Sequence, residues 1–247
     1  MTAIGSAAGS QRNEDFNERL ELVRRLEADH FWFRGRRELL RRLLRRFIPT
    51  PGTRVLDVGS GTGSFMAEIE RAGFRAVGVD PLAARPAGRV ARGDGLQLPF
   101  REASFGGVTI LDVLEHVDDA HLLREAVHVL QPGGIALITV PASNRLWSSR
   151  DVAAGHLRRY SKATLSRVLA DAGLAPVFIT YYQFFLFPLL VVARTAGRSS
   201  SAVRVAEEKP GAVVNWLFGM LNLLEARCAP LIRWPWGSSL VAVCTKR

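Results

Sequence analysis

The stretch Val55-Leu-Asp-Val-Gly-Ser-Gly-Thr-Gly-Ser-Phe65 constrains the fold more than any other part of this 247-residue chain. A short apolar run rich in β-branched residues reads as a buried strand. It passes into glycines at positions 59, 61 and 63, and helix-forming residues follow. Glycine lets the backbone turn sharply there and lets a ligand approach main-chain atoms with no Cβ in the way. A strand, a glycine turn and a helix in that order are the start of a parallel α/β unit.

The rest of the chain repeats that alternation. Strands are expected at Arg54–Val58, Ala76–Val79, Arg89–Ala91, Gly107–Leu111, Ile135–Val140, Pro176–Thr180 and Ser239–Cys244, with helices at Phe65–Ala72, Ala120–Leu130 and Lys162–Ala172. Runs apolar on both faces, separated by helices, imply a mostly parallel sheet covered on both sides. Ahead of it, Asn13–Ile48 carries apolar residues at helical spacing (Phe16, Leu20, Val23, then Leu39, Leu40, Leu43, Leu44 and Phe47) and ends at Pro49-Thr50-Pro51-Gly52. The segment Gln183–Pro235 is too long for a loop and too apolar for disorder, so it is expected to form helices with a polar break at Arg194–Arg204. The resulting division is a cap over 1–50, a core over 51–182, an apolar helical insertion over 183–236 and a last core strand over 237–247.

A dinucleotide turn of the form G-x-G-x-x-G needs glycine where this chain has Ser64. Asp57, inside the strand end, would repel a pyrophosphate but suits a ligand with an ammonium group and hydroxyls. Four further elements follow in order: Val77-Gly-Val-Asp80 ends the next strand in an acid, Gly93-Asp-Gly-Leu-Gln-Leu-Pro-Phe100 follows the third, Leu111-Asp-Val-Leu-Glu-His-Val117 closes the fourth, and Leu130-Gln-Pro-Gly-Gly134 leads into the fifth.

With these motifs the chain resembles the class I S-adenosylmethionine-dependent methyltransferases, in particular the small-molecule group with D-x-G-x-G-x-G, L-E-H and L-x-P-G-G motifs. The resemblance covers Arg54 to Val140 and reaches more loosely to Ser239–Thr245. It implies an α/β, Rossmann-like fold with a seven-stranded, mostly parallel sheet, and S-adenosyl-L-methionine as cofactor. By resemblance, Asp57, Gly59, Ser60, Gly61 and Gly63 hold the methionine part and the adjoining backbone. Asp80 and Pro81 lie at the ribose, Asp94, Gly95 and Leu96 at the adenine, and Leu111 and Asp112 border the sulfonium. The chain departs from the pattern between Asp80 and Arg89, where the second helix is short and holds Pro81 and Pro86.

Methyl transfer needs donor and acceptor held in line, and a general base helps where the nucleophile is a hydroxyl. Of the five histidines, His116 and His156 fall beyond the fourth and fifth strands, at the edge where open α/β sheets bind ligands. They are the catalytic candidates, and O-methylation is favoured over N- or C-methylation. Trp32, Arg36, Trp147, Arg159 and Tyr160 are the substrate-side candidates. Glu115 and His116 are two consecutive ligands, which do not make a metal site, so no metal is assigned. The apolar insertion suggests a hydrophobic or lipid-like acceptor, with a homodimer interface as the alternative.

Composition enters where partners are concerned. The net charge is +10, but only Lys162, Lys209 and Lys246 are lysines, and seven arginines lie between Arg34 and Arg46. That stretch could face nucleic acid or anionic lipid. The N-P-P-Y-like tetrad or strand-end cysteine of a nucleic-acid methyltransferase is absent, with L-D-V-L and T-V-P-A in those places, so no nucleic-acid partner is expected. The first ten residues lack the character of a signal peptide. Val177–Ala193 holds Thr180, Gln183 and Pro188, and reads as a strand running into a helix rather than a membrane span. Two cysteines, Cys228 and Cys244, point to a cytoplasmic setting. The competing readings are a non-catalytic module on the same fold and a peripheral membrane enzyme acting on lipid.

Overall fold

The computed structural model describes residues 25–82, 89–195 and 210–247, with no side-chain detail at 193–195. The expected helix positions Phe16, Leu20 and Val23, Pro86 in the short second connection, and most of the polar break at Arg194–Arg204 lie outside these residues.

The elements run α1 (Phe31–Phe47), β1 (Arg54–Val58), α2 (Ser64–Arg71), β2 (Arg75–Asp80), β3 (Val90–Arg92), β4 (Phe105–Leu111), α3 (Asp119–Val129), β5 (Leu130–Pro141), α4 (Ser149–Ala153), α5 (Lys162–Asp171), β6 (Leu174–Tyr182), α6 (Phe187–Thr195), α7 (Ala212–Cys228) and β7 (Ser239–Lys246). The seven strands form one sheet in the order β3-β2-β1-β4-β5-β7-β6. Pairing is parallel except where β7 lies antiparallel between β5 and β6. The chain leaves β1 toward one edge and returns beside it as β4, so a switch point falls between those two strands. Open α/β sheets bind ligands in the crevice at the carboxyl ends of such strands.

Alternation within the strands sends side chains to two cores. Leu56, Ile110, Ile138 and Ala242 meet α3 and α5 through Leu122, Leu123, Ala126, Leu165 and Leu169. Val55, Ala76, Leu137 and Val241 meet α1, α2 and α7 through Leu39, Leu40, Leu43, Leu44, Ile69 and Ala226 on the other face. The four leucines of α1 are all but fully buried, each contributing roughly 1.5–3 kcal/mol by leaving water.

The cap and the insertion pack on each other rather than standing apart. Gly35 makes this contact close: a Cβ there would sit 2.5 Å from the Tyr182 hydroxyl and 2.6 Å from Asn222 Cβ. The Phe31 amide donates to Asn215 Oδ1 at 2.8 Å, the Asn215 side chain donates to the Asp29 carbonyl at 2.9 Å, and Phe31 meets Phe218 edge-on. Most of the arginines of α1 are engaged within the protein. Arg41 pairs with Glu38 and Glu68, Arg42 with Glu38 at 2.6 Å, and Arg45 and Arg46 donate to the carbonyls of Arg71 and Pro230.

The α7 helix is apolar outward and polar inward. Asn222 and Glu225 are fully buried, while Trp216, Met220 and Leu224 are each more than half exposed. No helix of the described residues is long and apolar enough to cross a membrane.

Candidate active site

The glycine turn is fastened to the next strand by its own backbone. The amides of Gly59 and Ser60 both donate to the Val79 carbonyl, at 2.8 and 3.1 Å. Gly59 has φ +71°, and a Cβ there would lie 2.6 Å from Val113 Cγ2. Asp80 ends β2 and accepts from the Gly61 amide through Oδ2 and from the Leu82 amide through Oδ1, both at 2.9 Å. Each carboxylate oxygen keeps a further lone pair for a hydroxyl. From the cap, Glu27 accepts from the hydroxyls of Thr62 (2.9 Å) and Ser64 (2.7 Å), placing an acid at the N-terminus of α2. Asp57 is buried and accepts from Thr109 Oγ1 at 2.6 Å. Burial pushes its carboxyl up to about 7, against the Thr109 hydrogen bond and the Arg36 charge.

The edge formed by the ends of β4, β5 and β6 carries a different chemistry. Asp112, Ser143 and Gln183 follow these strands with φ of 57°, 63° and 64°, left-handed conformations uncommon outside glycine. At Asp112 the turn aims the carboxylate at α1: Arg36 Nη2 lies 2.6 Å from Oδ2 and also donates to Thr139 Oγ1 at 2.9 Å. The Thr139 hydroxyl donates on to Asp112 Oδ1 at 3.0 Å, and the Arg36 guanidinium lies over the Trp32 ring. Glu115 is fully buried, and neither carboxylate oxygen has a hydrogen-bond partner among the described residues. Burial, with the nearby charge of Asp112, holds its carboxyl well above the usual range.

His116 and His156 meet edge-to-face with ring centroids 4.9 Å apart. His156 Nδ1 lies 2.9 Å from Asp151 Oδ1, which also accepts from Arg159 Nε at 2.7 Å. Burial alone would raise the Asp151 carboxyl, but the hydrogen bonds from Arg159 and His156 hold it below its ordinary value. Donation from His156 to this carboxylate leaves Nε2 as the acceptor nitrogen.

Both groups border one cavity of about 1620 Å³, larger than the roughly 300–1,000 Å³ of a single-ligand pocket. A family profile described as "Methyltransferase domain" matches residues 31–178, well over half of the chain. The chain belongs to this methyltransferase family.

Its match to a probable S-adenosylmethionine-dependent methyltransferase of Mycolicibacterium smegmatis is 30% identical over 162 residues, covering 60% of this chain and 61% of that one. An uncharacterized methyltransferase of Mycobacterium sp. (strain JLS) is 42% identical over 100 residues, 36% of this chain and 40% of that one. The methyltransferase chain thus spans about 40% of the length of the curated relatives it matches first. In fold it is similar to the 1,6-didemethyltoxoflavin-N1-methyltransferase of Burkholderia thailandensis, with TM-score 0.59 and 19% identity, covering 100% of this chain and 91% of that one. The family is the class I, S-adenosylmethionine-dependent one, and its match reaches back through α1, beyond the Arg54 at which the sequence resemblance begins.

The residues fit S-adenosylmethionine. Gly59 keeps open a cradle that a Cβ would fill, Asp80 closes its far side, and Ser60 Oγ is buried there with no partner among the described residues. Of the residues singled out from sequence, Asp57, Gly59, Ser60, Gly61, Asp80, Pro81, Leu111, Asp112, Trp32, Arg36, His116, His156 and Arg159 line the cavity. Others do not. Asp94 is exposed and accepts from the Leu96 amide at 2.9 Å, capping its own turn, and Leu96 packs toward the α3 core. Gly95 stands against Leu122 and Val58, and Gly63 caps α2. Trp147 turns outward at 42% exposure.

Tyr160, expected on the substrate side, is buried instead. Its hydroxyl donates to Asp119 Oδ2 at 2.7 Å, which fixes the loop after β5 to α3. Glu27, Asp151, Gln183 and Ser238 escaped the sequence reading; the first is far from every motif, while Asp151 lies five residues before His156, a spacing that one helical turn closes.

Proposed function

We propose that the protein transfers a methyl group from S-adenosylmethionine to a small hydrophobic acceptor, with a hydroxyl oxygen favoured over nitrogen or carbon as the nucleophile. The observation that carries this reading is the Asp151–His156 pair at the acceptor end of the cavity. When bound, S-adenosylmethionine supplies a methyl carbon on positively charged sulfur: the C–S bond breaks with its electron pair left on sulfur as a bond forms to the acceptor. Asp57, the Gly59–Gly63 turn and Asp80 hold the donor, and Asp112 borders its reacting end. Asp151 orients His156 so that Nε2 accepts the hydroxyl proton. His116 and Trp32 complete the acceptor wall, and Arg36 fixes Asp112.

The cavity's apolar side, formed by Phe31, Phe33, Leu186, Leu189, Leu190 and Phe218, supports a hydrophobic acceptor. The internal engagement of the α1 arginines supports a small molecule over nucleic acid. The outward apolar face of α7 supports peripheral contact with a bilayer that delivers the acceptor; vesicle co-sedimentation against sedimentation velocity separates this from self-association. Two free cysteines are in keeping with a cytoplasmic setting.

Calorimetry with S-adenosylmethionine and S-adenosylhomocysteine, followed by S-adenosylhomocysteine formation over a panel of matched phenol and amine acceptors, tests the proposal. Binding without turnover on any acceptor would favour a non-catalytic module of the same fold.

A further inference from the structure

At the acceptor end, one ligand atom each from Glu115, His116 and His156 lies within 4.8 Å of the other two. His116 follows Glu115 in the short helix after β4, while His156 arrives from the loop after α4, so the third ligand is supplied by the fold. The Glu115 carboxylate is fully buried, borders the cavity and has no hydrogen-bond partner among the described residues. A buried carboxylate left in that state is costly. The nearest guanidiniums are committed elsewhere: Arg159 to Asp151 and the Ala142 carbonyl, Arg36 to Asp112 and Thr139.

We propose that Glu115, His116 and His156 form a site for a first-row divalent cation of borderline character, such as Zn²⁺, which holds an acceptor oxygen. One carboxylate and two imidazoles suit such ions, whereas Mg²⁺ prefers an all-oxygen shell. Three protein ligands leave at least one coordination position open for that oxygen. Bonds of about 2.1 Å in tetrahedral array place ligand atoms about 3.4 Å apart. The remaining closure falls on His116, the exposed member of the three.

Asp151 takes the role of the outer carboxylate that fixes a ligating imidazole. With Nδ1 held, His156 offers Nε2 to the ion. This deepens the methyl-transfer reading and rests on it. The nitrogen that would accept the hydroxyl proton directly instead binds the ion, and the ion binds the oxygen. The acceptor's hydroxyl then ionises on coordination and releases its proton to water at the exposed rim.

The test uses the full chain, stripped with a chelator and titrated with Co²⁺ alone, read by visible absorption and calorimetry, with Mg²⁺ as comparison. The expected result is one Co²⁺ per chain with d–d bands of four- or five-coordination, preferred over Mg²⁺. Glu115→Gln, His116→Ala and His156→Gln should each weaken Co²⁺ by at least tenfold, Asp151→Asn by about 10–100-fold, and His121→Ala not at all. His116→Ala removes an exposed side chain and keeps the test open if a buried variant fails to fold.

S-adenosylhomocysteine affinity, measured on the same samples, should be unchanged. No stoichiometric Co²⁺ binding, binding indifferent to these variants, or full turnover by metal-free protein overturns the metal site while leaving methyl transfer intact. Failure to bind S-adenosylhomocysteine in any metal state overturns the underlying reading instead.

Discussion

The two ends of the cavity are built on opposite principles. At the donor end, fastening is mostly local to adjoining strand ends: the glycine turn hangs on the Val79 carbonyl, Asp80 accepts from two nearby amides, and Asp57 accepts from the neighbouring strand through Thr109. At the acceptor end the contacts join segments far apart in sequence, Arg36 with Asp112 and Phe31 with Asn215. The buried Glu115 carboxylate lacks a hydrogen-bond partner there among the described residues, as Ser60 Oγ does at the donor end; buried polar atoms of Tyr182, Asn222 and Glu225, on and around α7, do so away from the cavity lining. Unsatisfied buried groups mark where a ligand or ion is to be accommodated, Ser60 at one end and Glu115 at the other.

Two glycines give the sharpest contrast. Gly59→Ala adds a Cβ 2.6 Å from Val113 Cγ2 on a backbone at φ +71°. The left-handed conformation costs about 1–2 kcal/mol for an L-residue and the overpacking about 1–3 kcal/mol more. The denaturation midpoint should fall accordingly, and S-adenosylhomocysteine affinity should drop more than tenfold. Gly35→Ala meets Tyr182 and Asn222 as closely, but its helical backbone is relaxed, so about 0.5–1 kcal/mol of helix preference offsets part of a similar clash. It should loosen the α1–α7 seam and leave donor affinity within a few-fold of the parent. Equal losses of donor affinity in both variants would break the distinction between the two ends.

Arg36→Met comes next. It removes the ion pair with Asp112 and leaves that carboxylate uncompensated beside Glu115. The side chains are 17% and 29% exposed, so solvent takes up part of the loss, and about 1–3 kcal/mol is expected from hydrogen bonds to a charged group. Turnover should fall at least tenfold with donor affinity little changed; a loss seen only in donor affinity would move Arg36 to the donor end.

Much of the donor end was legible in sequence because its parts are sequential. Strand, acid and glycines lie within ten residues, and their spacing alone locates the turn at the end of β1. Six of the seven strands fall within two residues of the sequence reading at either end, since buried strands announce themselves as apolar runs, whereas β5 begins at Leu130, five residues early, and takes in the Leu130–Gly134 segment expected to be a turn before it. What could not be read was direction and pairing across the fold. Nothing local to Glu27 indicates that its carboxylate reaches Thr62 and Ser64, and Tyr160 looks the same in sequence whether it faces the cavity or Asp119. The inward polar face of α7 depends on α1 and β6 supplying the other wall. A pattern apolar nearly all round the helix hides it.

Two buried carboxyls, Asp57 in the cavity and Glu225 on α7, differ in what pH does to donor binding. Burial pushes Asp57 and Glu225 each up to about 7, opposed at Asp57 by Thr109 and at Glu225 by amides including that of Phe184, which donates at 3.0 Å. For both groups the folded pKa exceeds the unfolded value of about 4, so the folded state binds more protons between those limits. The stability each contributes is fully present below about pH 4 and is lost as pH rises through about 7. A positively charged donor favours ionised Asp57, so binding near pH 6.5 should release a proton, and affinity should rise with pH up to about 7. Calorimetry in buffers of different ionisation enthalpy measures the release. Asp57→Asn should abolish it and Glu225→Gln should not.

The smallest effect is expected on the outer face of α7. Trp216 is 58% exposed and Leu224 51%, so replacing either with serine uncovers little that was hidden from water. Substitutions on such surfaces usually change stability by no more than about 0.5 kcal/mol, and donor affinity should be unaffected. Asn222, on the same helix, is fully buried and has its side chain 3.5 Å from the Phe31 carbonyl, so Asn222→Ala opens space against the cap and should destabilise clearly more. Chemical denaturation of the three variants decides the point. If Trp216→Ser or Leu224→Ser destabilised the isolated chain as much as Asn222→Ala, the outer face would have to be packed against something under assay conditions. Stability that varied with protein concentration would then identify that partner as a second copy of the chain.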